Sequence, residues 1–104
     1  MSWHFSIGEA GFNYTYNVAP MFYSATIALG CCPDDAGIRV LDDMGGRQAV
    51  KVLRAIREFM EENSVEMKEL NPASGWGDYE GAMTLLNNLI VASIENPNSL
   101  WSIY

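Results

Sequence analysis

The spacing of apolar residues between Arg47 and Asn63 constrains this chain more than any other feature of its sequence. Apolar residues recur there at intervals of three and four, which predicts an amphipathic helix with one side against a core. A second such stripe begins near Tyr79, with Asp78 as its expected N-cap, and ends before Pro97. The apolar positions of the two stripes are Ala49, Val50, Leu53, Ile56, Phe59 and Met60, then Ala82, Met83, Leu86, Leu89, Ile90 and Ile94.

The N-terminal residues follow a different period. Trp3 to Ile7 and Phe12 to Tyr16 alternate apolar and polar side chains around a Gly8 to Gly11 turn, which predicts a β-hairpin. Leu100 to Tyr104 is expected to add a third strand. Shorter helical segments are predicted over residues 21–29, mostly buried and ended by Gly30, over 38–44, ended by Gly45-Gly46, and over 65–70. The expected fold class is α+β, a small antiparallel sheet packed against two long and two short helices.

The length and composition favour one domain spanning residues 1–104. Hydrophobic residues make up 49% of the chain, enough for one core without a metal ion or disulfide. The start, Met1-Ser2-Trp3-His4, has no basic region and no long apolar stretch, so we expect neither a secretory signal nor a membrane anchor. The expected location is the cytoplasm, where Cys31 and Cys32 would be reduced thiols.

The residues that support catalysis are sparse. His4 is the single histidine in the sequence, so a catalytic pair of a nucleophile and a histidine would have to include His4. Cys31-Cys32 lacks zinc-site spacing, and Gly45-Gly46-Arg47 lacks the lysine of a phosphate-binding loop. Adjacent carboxylates such as Glu61 and Glu62 are typical of a charged surface rather than of a two-carboxylate hydrolase. We therefore expect a protein that is not an enzyme and has no cofactor.

The charge is acidic and unevenly distributed. Thirteen acidic and six basic side chains give a formal charge of −7, which opposes direct binding to nucleic acid or to an anionic membrane and favours a basic partner. Aid to solubility is the simpler explanation. Basic residues lie along the first long helix, whereas acids crowd its C-terminal end, where they oppose the helix dipole. A selected binding surface explains this placement, and so does a solvated helix end with pairs from Arg54 to Glu58 and Arg57 to Glu61.

Two stretches, residues 13–21 (NYTYNVAPM) and 71–81 (NPASGWGDYEG), resemble small proteins encoded by bacteriophages and prophages. The resemblance covers about a fifth of the chain and supplies no site residues. Compact acidic proteins of this kind are similar to anti-CRISPR and other anti-defence inhibitors, several of which are DNA mimics. The resemblance implies an inhibitor that binds a basic host protein, with a CRISPR effector complex as one candidate.

The leading hypothesis is that carboxylates occupy the place of a nucleic-acid backbone in the basic groove of a host protein. The candidate partner-binding residues are Asp34, Asp35, Asp42, Asp43, Glu58, Glu61, Glu62, Glu66 and Glu69, extended by Asp78 and Glu80.

Other hypotheses stay open at this point. A small-ligand binding protein would line a pocket with aromatic and amide side chains, although a packed core explains the same aromatic residues. A structural phage subunit would oligomerise through the edge of its sheet, and an enzyme would need an unrecognised acid/base pair. The proposed pocket residues are Tyr14, Tyr16, Trp76 and Tyr79, with Asn13, Asn17 and Asn71.

Overall fold

A computed structural model describes residues 2–30 and 37–104 and confirms the α+β fold class. Two 3-10 helices, at Tyr16–Val18 and Gly37–Leu41, accompany the main elements. The strands and α-helices are β1 (Ser2–Ile7), β2 (Ala10–Thr15), α1 (Ala19–Leu29), α2 (Gly46–Glu62), α3 (Ser64–Glu69), α4 (Tyr79–Glu95) and β3 (Ser102–Ile103). Cys31 and Cys32, for which we predict free thiols, lie outside the described residues.

The sheet is antiparallel with strand order β2-β1-β3. Phe5 at its centre lies opposite Phe12 of β2 and Ile103 of β3. Side chains alternate between the faces of a strand, so Trp3, Phe5 and Ile7 are all buried on the helix face while His4 is exposed on the other. The predicted hairpin and third strand are confirmed, although β3 contains only two residues.

The two long helices pack against each other in opposite directions. The N–H of Gly46, at the start of α2, donates to the carbonyl oxygen of Ser99 just beyond α4 (2.9 Å). At the other end the hydroxyl of Tyr79, which begins α4, donates to the carbonyl oxygen of Met60 (3.3 Å). Leu53 and Leu86 are fully buried between these points, as their stripes predict.

Several predicted details are wrong. Gly46 begins α2 instead of ending the preceding segment, which is a 3-10 helix over Gly37–Leu41. The second half of α1 is largely exposed, since the side chain of Ile27 is 60% exposed and that of Leu29 40%. Ile94 is exposed too. Periodicity locates a helix face, but it does not determine whether the neighbouring elements extend far enough to cover that face.

Candidate functional site

The last turn of α2 and the short α3 carry most of the acidic side chains. Glu58, Glu61 and Glu62 are exposed on α2 because Ile56 and Met60 turn the opposite side of the helix into the core. Asn63 then interrupts the helix, and its side-chain amide donates to the carbonyl oxygen of Phe59 (2.8 Å). After this break α3 exposes two further carboxylates, those of Glu66 and Glu69.

The first turn of α4 brings two more carboxylates to the same end of the molecule. Asp78 is the N-cap predicted from the sequence, and its Oδ1 accepts a hydrogen bond from the N–H of Gly81 (2.7 Å). The contact of the Tyr79 hydroxyl with the carbonyl oxygen of Met60 places this turn beside the end of α2. Burial raises the pKa of the Tyr79 phenol above its ordinary value, and the negative charges of Glu61 and Glu80 raise it further. The Glu61 and Glu80 carboxylates thus both act electrostatically on one buried phenol.

We call this region the acidic end. Lys68 is the basic residue that accompanies it, and its Nζ lies 5.5 Å from the centroid of the Tyr79 ring. Arg57 points towards α4, where its Nη1 donates to Oδ1 of Asn87 (2.8 Å). The acidic end consists of Glu58, Glu61, Glu62, Glu66, Glu69, Asp78 and Glu80.

Asp42 and Asp43 do not belong to the acidic end. They precede α2, whose 17 residues separate them from Glu62 by about 25 Å of helix. Their contacts are structural, because Oδ1 of Asp42 accepts a hydrogen bond from the N–H of Ile103 (3.0 Å) and the N–H of Asp43 donates to the carbonyl oxygen of Trp101 (2.9 Å). Asp34 and Asp35 lie outside the described residues. Seven of the eleven candidate carboxylates thus lie at the end of α2, on α3 or at the start of α4, whereas Asp42 and Asp43 lie beyond the opposite end of α2.

An apolar groove lies between α1 and α2, beside two carboxylates of the acidic end. Leu29, Ala55 and Phe59 form its floor, and the carboxylates of Glu58 and Glu62 flank it around a cavity of about 230 Å³. The apolar spacing does not predict this groove, because it places Leu29 and Phe59 in the core. The juxtaposition of α1 and α2 that exposes them is a tertiary feature, which no local spacing reports.

The aromatic residues proposed as one pocket lie in separate places. Tyr79 is buried, whereas Trp76 is 74% exposed and lies near Asn17, whose side-chain amide donates to its carbonyl oxygen (3.3 Å). Tyr16 packs edge-on against Trp3, with the ring centroids 5.1 Å apart. The side chain of Asn71 caps α4 by accepting a hydrogen bond from the N–H of Tyr79 (2.8 Å). These arrangements assign most of the set to packing and capping.

Tyr14 lines a different groove, between β2 and α4. Phe12 and Tyr14 border it on the strand side, and Leu85 borders it on the helix side. The cavity volume is about 290 Å³. Gly81 leaves room there for the Tyr14 hydroxyl, which would have to move if this position carried a Cβ atom. The sequence gives one clue to this groove, a glycine in the first turn of a strongly apolar helix.

The structure also shows the position of the single histidine and of the described groups that could bind a metal ion. His4 is exposed and stacks on Tyr104, with the ring centroids 5.7 Å apart. Within residues 2–30 and 37–104, no three side chains of the types that bind metal ions come together. In the same ranges no helix combines the length and apolar character needed to cross a membrane. The chain matches no protein-family model, no curated protein and no solved structure.

Proposed function

We propose that this protein is a non-enzymatic inhibitor that binds a host nucleic-acid-binding protein through its acidic end. It acts in the cytoplasm of the host cell, where the carboxylates occupy the basic groove that would otherwise hold a phosphate backbone. It contacts no nucleic acid itself. A CRISPR effector complex is one candidate partner, and that assignment rests on the phage-like resemblance of residues 13–21 and 71–81.

The observation that carries this proposal is the position of the carboxylates on α2. The last turn of this helix has no basic residue, and its first turn has no acidic one, the reverse of what the helix dipole favours. Glu58 and Glu62 are also one turn apart on the same face, where like charges repel. Such placement costs stability, so a role outside folding accounts for it best.

The geometry of the acidic end is complementary to a basic groove of a partner protein that normally binds phosphates. Carboxylates on three neighbouring elements present negative charge over a surface rather than along one line. Duplex DNA carries one negative charge per about 1.7 Å of its axis, so a protein groove that binds it presents closely spaced lysines and arginines. Complementary charge would then produce fast association that salt weakens.

The apolar groove at the acidic end would add contact area to this electrostatic attraction. An arginine or lysine side chain could lay its apolar stem on Leu29 and Phe59 and its charge between Glu58 and Glu62. Interfaces gain affinity from such partly buried anchors more than from charges at the rim.

The direct test compares two double charge reversals. Glu61→Lys with Glu66→Lys alters the acidic end, and Glu9→Lys with Glu95→Lys alters two exposed carboxylates outside it. Each Glu→Lys substitution raises the net charge by two. Both double variants therefore change the net charge from −7 to −3, and they differ only in where the charges lie. Tagged parent and variants would be used to capture host proteins at low and high ionic strength, with a duplex DNA competitor.

We expect the parent to retain a basic protein at low salt and to lose it at high salt or with excess DNA. The acidic-end variant should lose this protein, while the matched variant keeps it. Equal retention by both folded variants, or retention that neither salt nor DNA affects, would contradict the proposal.

A further inference from the structure

The two edges of the sheet differ in what covers them. At β3 the outer side is closed by the turn before α2, because Asp42 accepts from the N–H of Ile103 and the N–H of Trp101 donates to the carbonyl oxygen of Met44 (2.9 Å). Strand β2 forms the other edge. Among the described residues no strand pairs with its outer side.

The register shows which backbone groups face outwards from β2. His4 of β1 exchanges both backbone hydrogen bonds with Tyr104, so its N–H and C=O point away from β2. Opposed residues of an antiparallel pair alternate between bonded and non-bonded, and His4 lies opposite Asn13. The N–H and C=O of Asn13 therefore point to the open side, as do those of Gly11, two residues earlier.

This edge has none of the usual protection against a further strand. Natural proteins prevent a further strand from pairing with an open sheet edge by placing lysine, proline, a bulge or an inward-pointing charge there. The sequence of β2, AGFNYT, has no charged residue and no proline, and its pairing with β1 runs through six consecutive partners without a bulge. The contrast with the covered β3 edge indicates that the open side of β2 is available for binding.

The groove between β2 and α4 lies along this open edge. Phe12 and Tyr14 point to the helix face, the side on which Leu85 closes the groove. Asn13, between them, supplies the outward backbone groups. A chain added to β2 would thus hydrogen-bond to Asn13 and place every second side chain in the groove, as in β-strand addition between a strand edge and a helix.

We propose that an extended peptide segment of a partner protein adds to β2 as a fourth, antiparallel strand. The peptide residue opposite Asn13 directs its side chain to solvent, and its two neighbours direct apolar side chains against Phe12, Tyr14 and Leu85. The cavity of about 290 Å³ fits medium-sized side chains such as valine.

Charge complementarity predicts which end of the peptide carries a basic residue. Oδ1 of Asp78 accepts a hydrogen bond from the N–H of Gly81, which lines the groove (2.7 Å), and the N–H of Asp78 lies 3.3 Å from the Tyr14 hydroxyl. The Asp78 carboxylate is thus near the Thr15 end of β2, where an antiparallel peptide begins. A basic residue at the N-terminal end of the peptide is the complement. A second copy of the chain carries a net charge of −7, so electrostatic repulsion disfavours it as the occupant.

The test uses the synthetic peptide Lys-Val-Thr-Val-Thr and backbone amide NMR. Millimolar peptide should shift the Gly11 and Asn13 amide signals and slow their hydrogen exchange, while the Phe12 and Tyr14 amides, already bonded to β1, change less. Replacing either valine by aspartate should remove the effect, because a carboxylate would be buried among apolar side chains.

Two substitutions at one position separate the backbone from the side chain. Asn13→Pro deletes an N–H that does not pair with β1, so the hairpin should survive, and peptide affinity should fall by about tenfold or more. Asn13→Ala keeps the N–H and should bind like the parent. Asn88→Trp places a large side chain in the groove from α4 and should also abolish binding. This variant tests the inference if Asn13→Pro does not fold.

Absence of amide shifts on β2, or unchanged binding by Asn13→Pro and Asn88→Trp, would overturn this inference. Slow, concentration-dependent exchange at Asn13 without peptide would also overturn it, since a second copy would then occupy the edge. The inference does not rest on the proposed function, because Glu61→Lys with Glu66→Lys should bind the peptide normally.

Discussion

At the scale of single residues, this structure depends on a few buried polar contacts that no sequence pattern indicates. The indole N–H of Trp101 donates to Oγ of Ser93 (2.9 Å), and that hydroxyl donates to the carbonyl oxygen of Leu89 (2.8 Å). Trp101 and Ser93 are both buried. This hydrogen bond joins the C-terminal segment to α4. The position of β3 therefore depends on a side-chain contact as well as on the pairing of its two residues with β1.

Removing the Ser93 hydroxyl should therefore destabilise the fold. Ser93→Ala leaves the buried indole N–H without an acceptor, and an unsatisfied buried donor lowers the free energy of unfolding by about 1–3 kcal/mol. Thr84→Ala is a suitable control, because its hydroxyl makes the same kind of bond to the preceding turn but is exposed. Urea denaturation should show the larger loss for Ser93→Ala, and equal losses would contradict the assigned role of the Trp101 contact.

Tyr79 should titrate at an unusually high pH. Burial, followed by the charges of Glu61 and Glu80, raises the pKa of its phenol above the ordinary value of 10.0. Because the folded state favours the neutral phenol, this contribution to stability is fully present below pH 10 and is lost as the pH rises through the higher folded-state pKa.

Titration of ring-labelled tyrosines by NMR measures this directly. The Tyr79 signal should titrate at higher pH than that of a free tyrosine derivative, and Glu61→Lys should lower its pKa without restoring the ordinary value, since burial remains. A Tyr79 signal that titrates together with the free derivative would show that the ring is accessible to solvent.

At the scale of elements, the sequence predicts what depends on local spacing and misses what depends on close approach. The stripes of α2 and α4 and the Asp78 cap are confirmed because periodicity and capping are properties of a single segment. Helix α2 begins one residue before the predicted Arg47, and local spacing does not show that a Cβ atom at Gly46 would collide with the carbonyl oxygen of Asn96, a residue 50 positions away. The acidic end was only partly predictable, since Asp78 and Glu80 join it through the packing of Tyr79.

Gly46→Ala tests this close approach. The added methyl group would meet the backbone carbonyls of Asn96 and Ser93, which cannot move like a side chain, so we expect a loss of about 3 kcal/mol or more. Gly45→Ala is the matched control, because its φ of −67° suits alanine and the nearest neighbouring atom would be 4.0 Å away. Thermal unfolding of the two variants should differ strongly, and similar midpoints would mean that α2 and α4 are farther apart than described.

The interface between the long helices should carry much of the stability. Leu53→Ala and Leu86→Ala each truncate a fully buried side chain and should cost about 2–5 kcal/mol. Val91→Ala, at a position that is 54% exposed on α4, should cost less than about 1 kcal/mol. Chemical denaturation gives these values, and a loss below about 1 kcal/mol at either leucine would place that residue outside the core.

At the scale of the whole molecule, charge and packing oppose each other along α2. The packed core and the capped start of α4 lie beside a helix end where carboxylates gather against the dipole. The molecule is 37 Å in its longest dimension, so its acidic end and the Asp42–Asp43 turn can face different surroundings. A protein polarised in this way gives up some stability to keep one end negative.

Reversing one charge at the acidic end should consequently stabilise the fold. Glu62→Lys places a cation at the last residue of α2 and removes one repulsion, which together should contribute about 0.3–1 kcal/mol at low ionic strength. Glu9→Lys in the exposed hairpin turn changes the net charge equally, from −7 to −5, without touching a helix end. Melting temperatures should rise more for Glu62→Lys than for Glu9→Lys, and the difference should shrink in high salt because screening weakens both contributions. If Glu62→Lys instead lowers stability, the carboxylate has a structural role and its placement no longer argues for a binding surface.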